Sequence, residues 1–286
     1  RLRGVRDPSG GAVECFLLRR LECIDPGTET WSALVHPGQK LKPAARMRFA
    51  RDGVSIDGEI VAMHFDGRRT VRLSTPHGTL ADAIDRVGHV PLPPYVKRDD
   101  ADADRDRYQT IYAKDRGSVA APTAGLHFTA EQAAALRAQG VEWAEVTLHV
   151  GYGTFKPIKA SRVEDHVVEP EHYSVSEQTA EALTHARRDG RRIVAVGTTT
   201  VRTLESLTIE AGGRVCAGEG ETDVFIYPGH RFQLVAGLVT NFHLPRSSLL
   251  MLVSALAGRE RVLGAYREAV AQGYHFYSYG DAMVVI

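Results

Sequence analysis

A change of pattern at Pro91-Leu92-Pro93-Pro94 constrains this chain more than any other feature. Consecutive prolines favour extended backbone and resist helix, so no helix runs through them. Before them the chain is β-rich. Val13–Leu18 is a short apolar run, and Thr30–His36 and Val54–His64 have strand composition with partial alternation. Pro26-Gly27, Pro37-Gly38, Asp52-Gly53, Asp57-Gly58 and Asp66-Gly67 punctuate these runs as turns. Short strands with closely spaced turns predict a small barrel or sandwich, and residues 1–80 show no helical pattern of useful length. Lys97–Arg107 mixes acids and bases without an apolar period and reads as an exposed linker or the start of a short polar helix.

From about residue 120 strands and helices alternate. Thr129-Ala130-Glu131-Gln132 fits a capping box opening an Ala-rich helix to Gly140. Val141–Val150 reads as a strand, Ser176–Arg188 as a helix stopped by Gly190, and Ile193–Val196 as a short buried strand ending in Gly197-Thr198-Thr199-Thr200. Val201–Leu207 is helix-like, Asp223–Tyr227 and Phe232–Val239 strand-like. Ser247–Leu256 and Arg259–Gln272 are helical, and Ala282–Ile286 is a last strand. The expected fold class is α/β (α+β): a small β-rich domain over 1–90 and an α/β domain over 91–286 with a mostly parallel or mixed sheet covered by helices. Arg1-Leu2-Arg3-Gly4 reads as a strand end with no initiating Met. Residues are therefore expected upstream, and the first visible ones are open to belonging to the second domain.

Composition narrows the partners. Lys+Arg and Asp+Glu both number 35, so a nucleic acid has to be held by a local basic patch and not by a global field. Residues 40–51 offer one: Lys40, Lys42, Arg46, Arg48 and Arg51 with no acid among them, suited to phosphates on a hairpin and equally readable as a solvated strand face. Cys15, Cys23 and Cys216 form no CxxC pair and read as reduced cytosolic thiols. Apolar runs fall well short of the roughly 18 residues needed to span a bilayer, and no secretion signal is visible. A cytoplasmic monomer without membrane contact is the expectation.

Several segments suit chemistry. Gly197–Arg202 feeds a strand through glycine into a helix start, where free N–H groups, three hydroxyls and a guanidinium suit a carboxylate, phosphate or ribose; a well-capped strand–turn–helix explains the same spacing. In Gly117–Thr129 small residues fill nearly every place before His127, letting a ligand approach the backbone, with the dipole of the helix after Thr129 facing the same place; a tightly packed loop is the plain alternative. Leu148–Phe155 ends a strand in Gly151-Tyr152-Gly153-Thr154, which without a third glycine and a helix is no dinucleotide fingerprint. His127, His149 and His243 each sit between apolar neighbours and invite a shared site, but no His-x-His or His-x-x-x-His spacing supports a metal, and none is expected. Glu164-Asp165-His166 and Glu169-Pro170-Glu171-His172 crowd titratable groups where a general base, or only a solvated loop, can lie. Thr240–Ser248 enters a helix through polar donors, with Arg246 placed for an anion or for the surface.

Taken together, Gly88–Arg98, Tyr108–Lys114, Gly117–Thr129, His149–Ile158, Val196–Ser206, Thr222–Gly229, Thr240–Ser254 and Tyr277–Met283 resemble, in order, the S-adenosylmethionine:tRNA ribosyltransferase-isomerase family of queuosine synthesis. The resemblance implies an α/β catalytic domain, its N-terminal part missing here, with a small all-β domain inserted in it. It implies that S-adenosylmethionine serves as ribosyl donor, with no metal, and that the acceptor is 7-aminomethyl-7-deazaguanine in the tRNA anticodon loop. The implied chemistry removes a proton from the 5′ carbon beside the sulfonium and expels adenine. The acceptor amine then attacks, and closure to an epoxide expels methionine. On this chain it implies His127 or His149 as base, with Glu171 a further catalytic residue. Substrate contacts are then expected from Thr123, Gly125, Phe128, Gly151, Gly153, Thr154, Gly197, Thr198, Thr199, Arg202, Asn241, His243 and Arg246. Lys40, Lys42, Arg46 and Arg48 are expected to meet tRNA. One departure stands out: where the family usually shows Met-His-x-Glu, this chain reads Val168-Glu169-Pro170-Glu171. That admits a related enzyme with another acceptor, beside the further alternatives of an S-adenosylmethionine-dependent enzyme acting on a small molecule and a noncatalytic RNA-binding protein of the same fold.

Overall fold

The computed structural model describes residues 1–93, 95–151, 158, 160 and 162–286. The expected Gly153 and Thr154 contacts lie outside them. The chain divides into two compact units, Arg1–Arg105 and Asp106–Ile286.

The first unit is a closed antiparallel barrel of order β1-β2-β3-β6-β5-β4, built from β1 (Leu2–Asp7), β2 (Ala12–Asp25), β3 (Thr28–His36), β4 (Arg46–Arg51), β5 (Val54–Met63) and β6 (Arg68–Ser74). Strict alternation turns Met47 and Phe49 inward while Arg46, Arg48 and Ala50 face water. α1 (Leu80–Val87), which the sequence reading did not foresee, begins where the β-rich 1–80 ends, and its Leu80, Ala83 and Val87 enter the barrel core. Its eight residues are too short to be stable alone; an N-cap from Thr79 and the burial of that stripe hold it. The polar stretch after the prolines contains α2 (Asp102–Arg107), where buried Asp104 takes both terminal nitrogens of Arg98 at 2.6 and 2.8 Å.

The second unit holds two small sheets. One is antiparallel, β10-β8-β7, from β7 (Thr147–His149), β8 (Glu171–Val175) and β10 (Gly218–Thr222). The other is mixed, β12-β11-β9, from β9 (Ile193–Val196), β11 (Val235–Asn241) and β12 (Ala282–Val285), with β9 and β11 parallel. The helices are α3 (Ala130–Ala138), α4 (Glu177–Arg188), α5 (Thr198–Ser206), α6 (Ser248–Ala257) and α7 (Arg259–Ala271), and the capping box at Thr129 and Gln132 forms as expected. Three expectations need correction. The strand expected over 141–150 shrinks to β7, because Trp143 packs edge-on against Tyr112 and Phe128. Asp223–Tyr227 is not a strand, since the Val224 carbonyl accepts from Arg202 Nε at 2.9 Å. α5 begins at Thr198 and not at Val201. The start of β11 is set by Glu205, a buried carboxylate that accepts the N–H groups of Gln233, Leu234 and Val235 at 2.7, 3.0 and 2.9 Å. No helix among the described residues is long and apolar enough to cross a membrane.

Candidate active site

Parallel strands leave a crevice beyond their carboxyl ends, where loops and helix N-termini present polar groups. In this unit β9 runs into Gly197 and the start of α5, and β11 ends on Asn241. Gly197 is held by a bond from its N–H to the Val239 carbonyl at 2.9 Å. Thr198 and Thr199 are buried at the first turn of α5, where the helix start leaves N–H groups without intrahelical partners.

A short 3-10 turn, Thr123–His127, lies against β11. The Thr123 hydroxyl donates to Asn241 Oδ1 at 3.2 Å, and Asn241 Nδ2 meets His127 Nε2 at 2.8 Å. With that amide orientation Nδ2 donates, Nε2 accepts, and the imidazole is neutral with its proton on Nδ1. Burial holds the His127 pKa below the ordinary imidazole value, and the charge of Asp281 opposes that shift. Asp281 is itself fixed by the His275 N–H at 2.6 Å. Residue-type reasoning passed over Asp281; its signal was the Tyr277–Met283 segment.

Gly125 shows why the turn needs a residue without a side chain. A Cβ there would overlap the Tyr112 hydroxyl and come within 2.8 Å of Thr110 Cγ2. Tyr112, pushed up to about 12 by burial and then by Glu145, keeps its proton throughout the physiological range. Gly125→Ala is expected to displace the 3-10 turn and lower kcat at least tenfold with a smaller loss of stability, measured by turnover and melting together. Unchanged turnover would separate Gly125 from the geometry of His127.

A second cluster surrounds β8. Arg202 donates from Nη1 to Glu171 Oε2 at 2.6 Å, from Nη2 to the Thr222 carbonyl at 3.0 Å and from Nε to Val224. Glu171 Oε1 accepts the Gly151 N–H at 3.1 Å, and both side chains are buried. The guanidinium expected to hold a ligand carboxylate is thus engaged within the protein, as are both oxygens of Glu171. The Glu169 that departs from the family pattern contributes its carbonyl to Arg202 Nη2 at 3.5 Å.

His149 pairs in register with His172, their rings 5.7 Å apart. Its Nδ1 is shielded and has no hydrogen-bond partner among the described residues. It lies over Gly117, whose φ of 145° disfavours a side chain and where a Cβ would come 2.6 Å from that nitrogen. The small-residue segment is tied to the end of β7 through Ser118 Oγ and Val119 N–H, bonded to Val150 at 3.0 and 2.9 Å.

His243 is bonded through Nε2 to the Thr240 hydroxyl at 2.8 Å, and burial pushes it down to about 4, so it is neutral at physiological pH. Arg246 is exposed at φ 59° just before the N-cap of α6. Phe128 packs edge-on against Trp143 with centroids 5.6 Å apart, and so forms wall instead of a free ligand contact. The structure thus joins Thr123, His127 and Asn241 in one hydrogen-bonded chain. It joins Gly151, Glu171 and Arg202 in another, and α5 links the Gly197–Thr199 turn to the second.

The family described as "Queuosine biosynthesis protein" matches residues 1–285. An S-adenosylmethionine:tRNA ribosyltransferase-isomerase from Carboxydothermus hydrogenoformans is 50% identical over 286 residues, 100% of this chain and 80% of that protein. One of the same name from Moorella thermoacetica is 48% identical over 100% of this chain and 81% of its own length. A crystal structure of an S-adenosylmethionine tRNA ribosyltransferase from Thermotoga maritima, 35% identical, covers 99% of this chain and 78% of its own, with a TM-score of 0.47.

Proposed function

The chain belongs to the queuosine biosynthesis protein family, and on that footing we propose that it is an S-adenosylmethionine:tRNA ribosyltransferase-isomerase. In this reading it moves and isomerises the ribosyl group of S-adenosylmethionine onto 7-aminomethyl-7-deazaguanine in tRNA, releasing adenine and methionine. The observation that carries the reading is the match along the whole chain to relatives of that name. The Thr123–Asn241–His127 chain at the carboxyl ends of β9 and β11 supports an enzyme over a pure binder.

The reaction needs a base that is neutral at working pH, and a depressed imidazole pKa supplies one. His127 is the first candidate. When substrate takes over the Asn241 amide, the Nε2 lone pair is free to accept the proton from the 5′ carbon. His149, with its unpartnered Nδ1, is the second. The N-terminus of α5 with Thr198 and Thr199 suits the methionine carboxylate or ribose hydroxyls, because helix N-termini favour anions. Asn241, His243 and Arg246 suit adenine or the acceptor. Thr123, Gly125 and Phe128 set the 3-10 turn. Glu171 and Arg202 are positioning residues for Gly151, as both are consumed in their own bonds. Lys40, Lys42, Arg46 and Arg48 suit the tRNA backbone of the anticodon region. The working enzyme is a cytoplasmic monomer in this reading.

Incubation with S-adenosylmethionine and tRNA carrying the acceptor base should release adenine. Release that does not depend on tRNA would indicate a small-molecule acceptor. No release would indicate an RNA binder.

A further inference from the structure

One end of the barrel carries an exposed aromatic on a hydrogen-bonded turn, with exposed cations on the neighbouring loop. The β5–β6 turn is fixed by bonds from His64 N–H to the Arg68 carbonyl at 2.9 Å, from Gly67 N–H to the His64 carbonyl at 3.2 Å and from Arg68 N–H to Asp66 Oδ1 at 3.0 Å. At its tip Phe65 is wholly exposed, and Met63 beside it is half exposed. An aromatic this large on a tight turn buries nothing in the barrel, so folding does not account for it.

The loop between β3 and β4 lies at the same end and is equally constrained. Leu41 is buried in the barrel core with no exposure, while its chain neighbours Lys40 and Lys42 are exposed. The two loops are fastened together by Arg69, a buried guanidinium that donates to the carbonyls of Leu41, Gly38, Gly67 and Arg68 at 3.0 to 3.3 Å. Elsewhere on the barrel exposed arginines are offset by acids, Arg48 by Asp57 at 3.8 Å and Arg72 by Glu59 at 3.6 Å, and within the Phe65 turn itself Arg68 is offset by Asp66 at 3.3 Å. Lys40, Lys42 and Arg46 have no carboxylate partner among the described residues. The uninterrupted basic stretch seen in the sequence is therefore divided in space. Its unpaired charge gathers at the Phe65 end.

A flat aromatic held rigidly beside unpaired cations matches single-stranded nucleic acid, where bases stack on the ring and phosphates meet the charges. We infer that this barrel end, with Phe65 as stacking platform and Lys40 and Lys42 as phosphate contacts, binds an unpaired nucleotide of the RNA substrate. The inference rests on the reading that tRNA is that substrate, and it adds Phe65 to the residues expected to touch it.

The test uses the full chain and two labelled RNAs, a stem-loop with an unpaired loop and the same stem closed as a blunt duplex. Phe65→Ala should weaken stem-loop binding roughly 5- to 150-fold and leave duplex binding and the melting curve unmoved; Phe65→Trp should restore it. Lys40→Glu with Lys42→Glu should weaken both RNAs and reduce the slope of log Kd against log salt by about 1.4 for the unpaired loop and about 1.8 for the duplex. Leu21→Ala, which trims a half-exposed apolar side chain at the far end of the barrel, should change neither. Wild-type affinity in Phe65→Ala, or an equal loss on the duplex, would overturn the inference. So would a Phe65→Ala protein that changes its association state in light scattering while binding RNA normally, since a second copy would then be the occupant. Adenine release by the wild type separates the two readings: a protein that releases adenine but ignores Phe65 defeats only this inference. One that binds the stem-loop through Phe65 and releases none defeats only the enzymatic reading.

Discussion

His127→Ala is expected to lower kcat by roughly 10²- to 10⁴-fold, the range of a lost general base. The stability cost is smaller. His127 is half-buried, but its removal leaves the buried Asn241 amide without an acceptor, at about 1–3 kcal/mol. A denaturation curve displaced by that amount with turnover nearly abolished fits the assignment; an active His127→Ala enzyme removes it and passes the role to His149. A pH profile gives the independent check. A base with a depressed pKa keeps its lone pair to lower pH, so the acidic limb of kcat/KM for S-adenosylmethionine should fall below the ordinary imidazole value. The Asp281 carboxylate favours protonated His127, so Asp281→Asn should move that limb lower still. A shift upward would show that Asp281 does not act through this imidazole.

Glu171→Ala should have the largest effect on stability. It strands the buried Arg202 charge and frees the Gly151 N–H together, and breaking a buried pair from one side costs about 3–5 kcal/mol. Glu171→Gln keeps the acceptor for Gly151 and loses only the charge, so it should lie between wild type and Glu171→Ala in chemical denaturation. If Glu171→Ala unfolds within about 1 kcal/mol of wild type, the pair is not what holds β8 to α5.

The barrel was legible because its signals are local: strand composition in Thr30–His36 and Val54–His64, and the turns at Asp52-Gly53 and Asp66-Gly67; the turn expected at Asp57-Gly58 is instead continuous strand within β5. What escaped was set by tertiary contacts. α1 owes its stability to the barrel it enters, which no eight-residue window reveals. The Val224 backbone was expected in a ladder but serves Arg202. In the site, His127, Asn241 and the threonines after Gly197 were visible as donors at element ends. Arg202 was visible only as a guanidinium; that its donors would be consumed internally depends on a carboxylate 31 residues earlier in the chain. Residues 40–51 look uniformly basic in one dimension because an acid that offsets Arg48, Asp57, arrives from the next strand. Phe65 gave no signal at all, since an aromatic in a β-rich sequence reads as core.

The Thr123–Asn241–His127 chain has a consequence for biosynthesis. Its bonds join positions 114 and 118 residues apart, and β11 finds its place through Glu205, the parallel partner β9 and the antiparallel partner β12. Domains emerge from the ribosome in chain order. The barrel, complete by residue 87, can close while the segment that delivers Asn241 is still unsynthesised. A nascent chain can therefore own a finished barrel while His127 still lacks its Asn241 partner. The hydrogen-bonded chain through Asn241 forms only once translation has passed residue 241.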